Sequence, residues 1–571
     1  MLATLGAFVV TQDLKSGPPL VQRVYYPAWI SPNGDGRNER VALRFDLPAA
    51  ERATVAVVDE AGDEVRRLAD DRELARGTHR FRWDGRTDAG RVAADGSYHL
   101  RVLLRRQGRA VTAPRTLTLD TRPPRPRLLR AGPSVLVPGS GRGVRIRYEG
   151  PSDPGPLVTV YRTRGGQARA VERVRGPRFR RTAEWDGTVD GRPAAPGPYA
   201  LSVTVRDPAG NAGSAPPTLP PRPSAAAPRT GVLVRRLVVA GPLVPVRPGA
   251  VAHMATGGGR ARTWTLRRIG SGRPLARGVV RGERFGVRVP ARARPGLHVL
   301  RVRGAGTRAA APLAVGGSAS RDRPLVVLPV VTWQARNPVD DDRDGFADTL
   351  PSASGVRSTR PWARGGLPRG LRAEAAPLLR FLDRERAAYE LTTDLALATG
   401  RGPALRGRPG VLVAGSAHWT PRRLSGAFSR WVADGGRLAS MSAGAFRREV
   451  RVSPDHLDRP TRPGPRDAFG ERTAPAPGGP GGMRVMRTGS LGLLAGAPAL
   501  GPFPRVEESL DLPRRARLLE AAGPGERPAF VAYRLGRGLV VRAGTRGWSL
   551  ALARDADVRR VTRRTWGLLT R

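Results

Sequence analysis

The sequence contains no cysteine. Disulfides, thiolate metal sites and a cysteine nucleophile are excluded together, and the redox compartment is left unmarked. Lysine is nearly missing as well: Lys15 is the only one, so the formal charge of +50 over 571 residues is carried by arginine. Arginine is spread through every segment, and no zinc-ligand spacing, RNP-type aromatic motif or helix-turn-helix signature accompanies it. The charge implies attraction to polyanions without grounds for specific nucleic-acid recognition, and an anionic envelope polymer or acidic lipid head groups are the expected neighbours. A long apolar run is also lacking at the start, where Met1 to Val10 falls short of the ~20 residues of a membrane helix. Two readings stay open for residues 1–23: the remnant of a signal anchor, or a short buried strand.

Glycine (71) and proline (55) are plentiful and favour short strands and turns, while the length exceeds the ~250 to 300 residues at which one core stops growing. A repeat of about one hundred residues, the size of a β-sandwich module, organises the first half. Trp83-Asp84-Gly85 and Trp185-Asp186-Gly187 are each followed by a Gly-Arg turn and then by an aromatic strand, at Gly96-Ser97-Tyr98 and Gly197-Pro198-Tyr199. A degenerate third copy keeps only Pro295-Gly296-Leu297-His298. The tryptophans and tyrosines read as core residues, since a small two-sheet core needs a large central side chain.

Trp-Asp-Gly, Gly-Arg and Gly-x-Tyr together resemble the immunoglobulin-like domain of the flagellar hook-assembly protein (FlgD). Ser31-Pro32-Asn33-Gly34-Asp35-Gly36 resembles the segment that opens such modules in surface proteins. The resemblance implies a fold and no catalysis. Domains are expected at 24–122, 123–223 and, degenerate, 230–316, with a Pro/Ala-rich spacer from 216 to 230.

From Pro324 onward, apolar strands alternate with helical patterns, which predicts parallel strands with crossover helices in a domain over 323–571. Strands are expected at 325–331, 389–392, 411–415 and 436–441, helices at 375–388, 421–433 and 555–569, and a hairpin at 530–543. The Pro/Gly-rich stretch 453–482 reads as a mobile insertion. Leu378-Leu379-Arg380-Phe381-Leu382, Val411-Leu412-Val413-Ala414-Gly415 and Gly435 to Ala443 resemble the C-terminal domain of the N,N-dimethylformamidase large (beta) subunit, within the class I glutamine amidotransferase-like fold. The expected fold class is thus three all-β immunoglobulin-like sandwiches followed by a flavodoxin-like α/β domain.

Ligands of an open α/β sheet bind beyond the carboxyl ends of its strands, here Thr332 to Arg336, Ser416 to Trp419 and Ser442 to Gly444. The amidotransferase cysteine has no counterpart. The formamidase resemblance implies a metal held by tyrosines and a glutamate near Gly-His-Asp-Glu-Tyr-Trp, but Gly415-Ser416-Ala417-His418-Trp419 offers neither Tyr nor Glu. Ser442, in Ser440-Met441-Ser442-Ala443-Gly444, loosely mimics a nucleophile elbow; His418 is the candidate base, with Glu390 or Asp394 to orient it. The bland alternative is close packing of small residues at a strand end.

Asp340, Asp342, Asp344 and Asp348 take positions 1, 3, 5 and 9 of a calcium loop around Gly345, similar to thrombospondin type 3 and dockerin-like repeats, with Pro351 where the position-12 Glu would fall. Structural calcium is expected here, and Asn33, Asp35 and Asn38 form a weaker candidate. The function these features favour is an exported or cell-surface protein whose spacers present an α/β domain to an envelope glycan or protein. An amide or glycan hydrolase using Ser442 and His418 is the alternative, and a polyanion binder the third reading.

Overall fold

The computed structural model describes residues 19–224, 229–304, 306–316, 321–477 and 480–571. The first eighteen residues, on which the anchor reading rests, lie outside the described residues, as do parts of the spacer and of the 453–482 stretch.

Strand Gly96–Leu104 alternates along its length, turning Tyr98, Leu100, Val102 and Leu104 inward. It lies in a six-stranded sheet that shares one buried core with a three-stranded sheet containing Val41–Leu47 and Gly77–Trp83. Trp83 sits at the centre, 1% exposed, its ring 5.1 Å from that of Tyr98. Its indole nitrogen donates to the Arg86 carbonyl at 2.8 Å, and the Tyr98 hydroxyl to the Ala94 carbonyl at 2.6 Å.

The second repeat reproduces this arrangement bond for bond. Trp185 Nε1 donates to Thr188 O at 2.7 Å, Tyr199 Oη to Ala195 O at 2.8 Å, and the rings stand 5.4 Å apart. The turn needs its tryptophan-adjacent glycine: at Gly187, with φ +82°, a Cβ would lie 2.5 Å from Leu136. In the third copy His298 holds the tyrosine's place, 1% exposed, and burial pushes its imidazole down to about 4.

The third unit does not close a core of its own. Val299 is buried at its surface, and Leu300, Val302 and Leu313 belong to one continuous cluster with Val326, Leu379, Val541 and Leu569 of the last unit. The two halves are also clamped by Arg268, which pairs bidentately with Asp383 at 2.7 and 3.0 Å.

That last unit is built on a nine-stranded sheet. Glu390–Thr393, Leu325–Leu328, Val411–Val413, Arg437–Ser440 and Gly538–Ala543 run parallel in that spatial order. Four further strands, Phe530–Leu535, Ala516–Gly523, Gly481–Arg487 and Ala499–Phe503, continue it antiparallel. The expected flavodoxin-like domain is corrected accordingly: the sheet is mixed, its helices are short, and the chain is mostly β, with 43% strand against 11% helix.

Two local expectations also change. The first strand stops at Leu328 and Val330–Ala335 is helical, because Pro329 lacks the N–H to continue the ladder and is tolerated at a helix start. Within 453–482, His456–Asp458 and Arg472–Pro475 are strands paired to Arg448–Val452 and Glu507–Asp511. A buried ion pair between Glu471 and Arg542, at 2.7 Å, ties this stretch to the main sheet.

Candidate functional site

The parallel strands deliver Pro329, Gly415 to His418 and Ser442 to Gly444 to one edge of the sheet. Gly415 has φ +123°, and a Cβ there would lie 3.2 Å from Glu374 Oε2. That carboxylate organises the crevice floor. Glu374, 8% exposed on the turn Leu371–Ala375, accepts the Ser416 N–H at 2.6 Å and the Ser442 hydroxyl at 2.7 Å.

The sequence-predicted pair is therefore not assembled as a nucleophile and its base. Ser442 is fully buried and spends its hydroxyl on Glu374, while His418 Nδ1 lies 3.2 Å from the Gly444 carbonyl. A carbonyl only accepts, so Nδ1 carries the proton in that bond. Nor do the proposed orienting carboxylates face His418: Asp394 accepts the Val331 N–H at 3.2 Å at the end of its own strand, and Glu390 opens the edge strand Glu390–Thr393. Backbone donors that could hold an oxyanion are also engaged, the Ser416 N–H by Glu374 and the Gly444 N–H by Glu507 at 2.7 Å. Glu374 escaped the sequence reading because it stands among alanines; its one signal was helical spacing to Leu371 and Leu378 on the buried face.

Three guanidiniums surround His418. Arg336 and Arg448 lie over the Trp419 ring, 5.2 and 5.3 Å from its centroid, and Arg546 Nη2 lies 3.6 Å from where a Gly444 Cβ would stand. Burial first, then Arg336, with Arg546 and Arg448 adding, pushes the imidazole down to about 4. Arg336 is itself lowered to about 10, by burial of its guanidinium and then by Arg546. The formamidase metal does not fit these residues: a cation beside His418 would face three positive charges, and the acidic donors nearby already bond backbone or arginine. A cleft of about 590 Å³, lined by Arg268, Arg380, Asp383 and Ser549 among others, shares no lining residue with Arg336, His418, Arg448 or Arg546.

The acidic loop forms a second centre. Oxygens of Asp340, Asp342 and Asp348 lie within 4.8 Å of one another. Asp344 does not join them: it accepts the Phe346 N–H at 2.7 Å and, across to the spacer, the Ser224 N–H at 2.9 Å. The loop thereby docks on the second unit, where the Gly345 carbonyl accepts the Thr163 hydroxyl at 2.6 Å and Phe346 packs on Tyr161 and Ala200. Burial, and then Asp344, raises Asp340 to about 8. In the weaker candidate, Asn33 Oδ1 accepts the Asp35 N–H at 2.9 Å, while Asn33 Nδ2 and the Ser31 hydroxyl donate to the Asn211 side-chain oxygen of the second unit, at 2.6 and 2.5 Å.

Comparison with known proteins covers both ends of this architecture. Residues 30–108 match the family described as the FlgD Ig-like domain, and residues 282–489 the family described as N,N-dimethylformamidase beta subunit-like, C-terminal. The second match begins inside the third β-unit, earlier than the resemblance noted from residue 324, and so spans the shared core. Among solved structures, FlgD from P. aeruginosa is similar at 23% identity and TM-score 0.14, over 18% of this chain and 78% of that one. Fibronectin(III)-like modules of Clostridium thermocellum CbhA match at 15% and 0.18, over 33% and 88%. Sidekick-1 immunoglobulin domains 1–5 match at 12% and 0.22, over 54% of this chain and 61% of that one. No curated protein matches the chain. By these matches the chain carries an FlgD-type Ig-like domain at 30–108 and an N,N-dimethylformamidase beta subunit-like C-terminal domain at 282–489.

Proposed function

We propose that this is an exported, surface-associated binding protein. Ig-like units at 24–122, 123–223 and 230–316 space out a C-terminal domain, 323–571, that binds an envelope glycan or protein without hydrolysing it. We read that domain as an amidotransferase-like α/β unit, supported by the parallel strand order of its sheet, with an antiparallel extension.

The observation that carries the binding reading is the Ser442–Glu374 hydrogen bond at 2.7 Å, which takes the one candidate nucleophile away from the one candidate base. A fluorophosphonate probe tests it. The expected result is no Ser442-dependent labelling, equal in the native chain and in Ser442→Ala; labelling lost in that variant would make the hydrolase reading the correct one.

Calcium at the acidic loop belongs to the same proposal, as a structural ion. Three convergent carboxylates suit a hard cation that wants several oxygens, and the ion would offset the burial, and the added repulsion, that raise Asp340 and Asp348. Asp342→Ala is the informative change, because Asp344 also holds the spacer. With calcium, the native chain should melt higher than with chelator by ~2 to 4 °C, on the order of 1 kcal/mol for a large domain, and the variant should show no such difference. Equal melting of the native chain in both conditions would remove the ion from the account.

A further inference from the structure

The crevice around His418 holds more positive charge than its structure uses. Arg336, Arg448 and Arg546 make no ion pair among the described residues, and each nearby carboxylate is engaged: Glu374 with Ser416 and Ser442, Glu449 with Arg422 at 3.4 Å, Glu507 with the Gly444 N–H and with Arg542 at 3.8 Å. Arg448 donates its Nε to the Thr461 carbonyl at 2.6 Å, which fixes the side chain and leaves its outer nitrogens without a hydrogen bond among the described residues. Stacking on one buried ring, Trp419, 2% exposed, orients both Arg336 and Arg448. Like charges gathered this way repel one another.

A second, independent observation points into the same space. Ser416 is 4% exposed and its hydroxyl has no hydrogen-bond partner among the described residues. A buried hydroxyl left unsatisfied costs about 1 to 3 kcal/mol, and a ligand oxygen reaching Ser416 would relieve that cost. Ser416 Oγ, His418 Nδ1 and Arg546 Nη2 lie 3.9, 3.8 and 3.6 Å from the position a Gly444 Cβ would take, which shows that the hydroxyl and the guanidinium border one small space kept open by a glycine with φ +67°. Arg546 is exposed, so the space is reached from solvent on its side, while the Arg336 guanidinium is desolvated at its inner end.

We infer that the crevice binds an oxyanion, the carboxylate or phosphate group of a larger ligand, between the guanidiniums of Arg336, Arg546 and Arg448 with the Ser416 hydroxyl as its buried donor. The planar guanidinium fork matches either anion, which is why the shared chemistry is an oxyanion and not one named compound. This rests on the binding reading above and names its ligand class. Teichoic-type phosphate and uronic-type carboxylate both carry the required group.

The test uses the full chain with 13C-labelled histidine; the sequence has six, so the His418 signal can be assigned with a single His418→Gln variant. Inorganic phosphate and glucuronate are the probes, glucose the neutral control. The expected result is a saturable shift of the His418 signal with one or both anions and none with glucose; the anion that acts identifies which source the site takes. Arg336→Gln with Arg546→Gln should weaken the effective anion about tenfold or more, Ser416→Ala severalfold, and Arg484→Gln, on the far strand Gly481–Arg487, not at all. If the double variant fails to fold, the exposed Arg546→Gln alone should still weaken it. No shift with either anion, or the same affinity in the arginine variants, overturns the proposal. Failure here with Ser442 still unlabelled by fluorophosphonate removes only the anion; Ser442 labelling removes the binding reading beneath it.

Discussion

Arg542→Met should lower the stability of the C-terminal domain by about 3 to 5 kcal/mol, among the largest effects expected of one substitution in this chain. Arg542 stands in the last parallel strand, Gly538–Ala543, and meets Glu471 with its Nε and Nη2 at 3.0 and 2.7 Å. The two side chains are 6% and 0% exposed, so loss of the guanidinium strands a carboxylate where water cannot reach it. Asp467 aggravates the loss. It lies close enough that Glu471, after burial, raises it to about 7, and Arg542 is the positive charge that acts against that rise. The companion double variant Glu471→Leu, Arg542→Met should regain most of the loss, since removing a whole buried pair is far milder than breaking it. Urea unfolding followed by the C-terminal transition reads both; a single-variant loss under about 1 kcal/mol would mean that the pair is hydrated and does not tie the 466–475 stretch to the sheet.

That pair also shows where the sequence stops being legible. The repeat in the first half was readable because Trp-Asp-Gly and Gly-x-Tyr are local patterns: each tryptophan bonds a carbonyl three residues on, and each tyrosine one four residues back. The parallel strands at Leu325, Val411 and Arg437 were likewise announced by short apolar runs. Glu471 with Arg542 and Glu374 with Ser442 join residues 71 and 68 positions apart, and no periodicity in an arginine-rich chain singles out which acid meets which base. The antiparallel strands Gly481–Arg487 and Ala499–Phe503 were missed for a related reason: they carry Gly, Pro and exposed Met486, and only pairing makes them strands. In the acidic loop the spacing pointed to Asp340, Asp342 and Asp348, whose oxygens converge, but it could not show that Asp344 would turn to the spacer at Ser224.

The crevice itself is most directly examined through His418. A general base paired with a nucleophile and backed by a carboxylate titrates near neutrality, because the carboxylate stabilises the imidazolium. Here the ring is desolvated, gives its Nδ1 proton to the Gly444 carbonyl, and has Arg336, Arg546 and Arg448 for neighbours in place of an acid. Its folded value lies below the ordinary 6.5, so the unfolded chain binds the extra proton between pH 6.5 and about 4. Stability drawn from this site is complete above that window and is lost as pH falls through it; buried His298 acts in the same direction. The decisive measurement is the NMR titration of the His418 ring in the native chain, repeated in Ser442→Ala. A binding crevice lined by arginine predicts a midpoint near 4, unmoved by loss of a hydroxyl that belongs to Glu374. A midpoint at or above 6.5 that shifts in Ser442→Ala would show His418 coupled to Ser442, and would contradict the account.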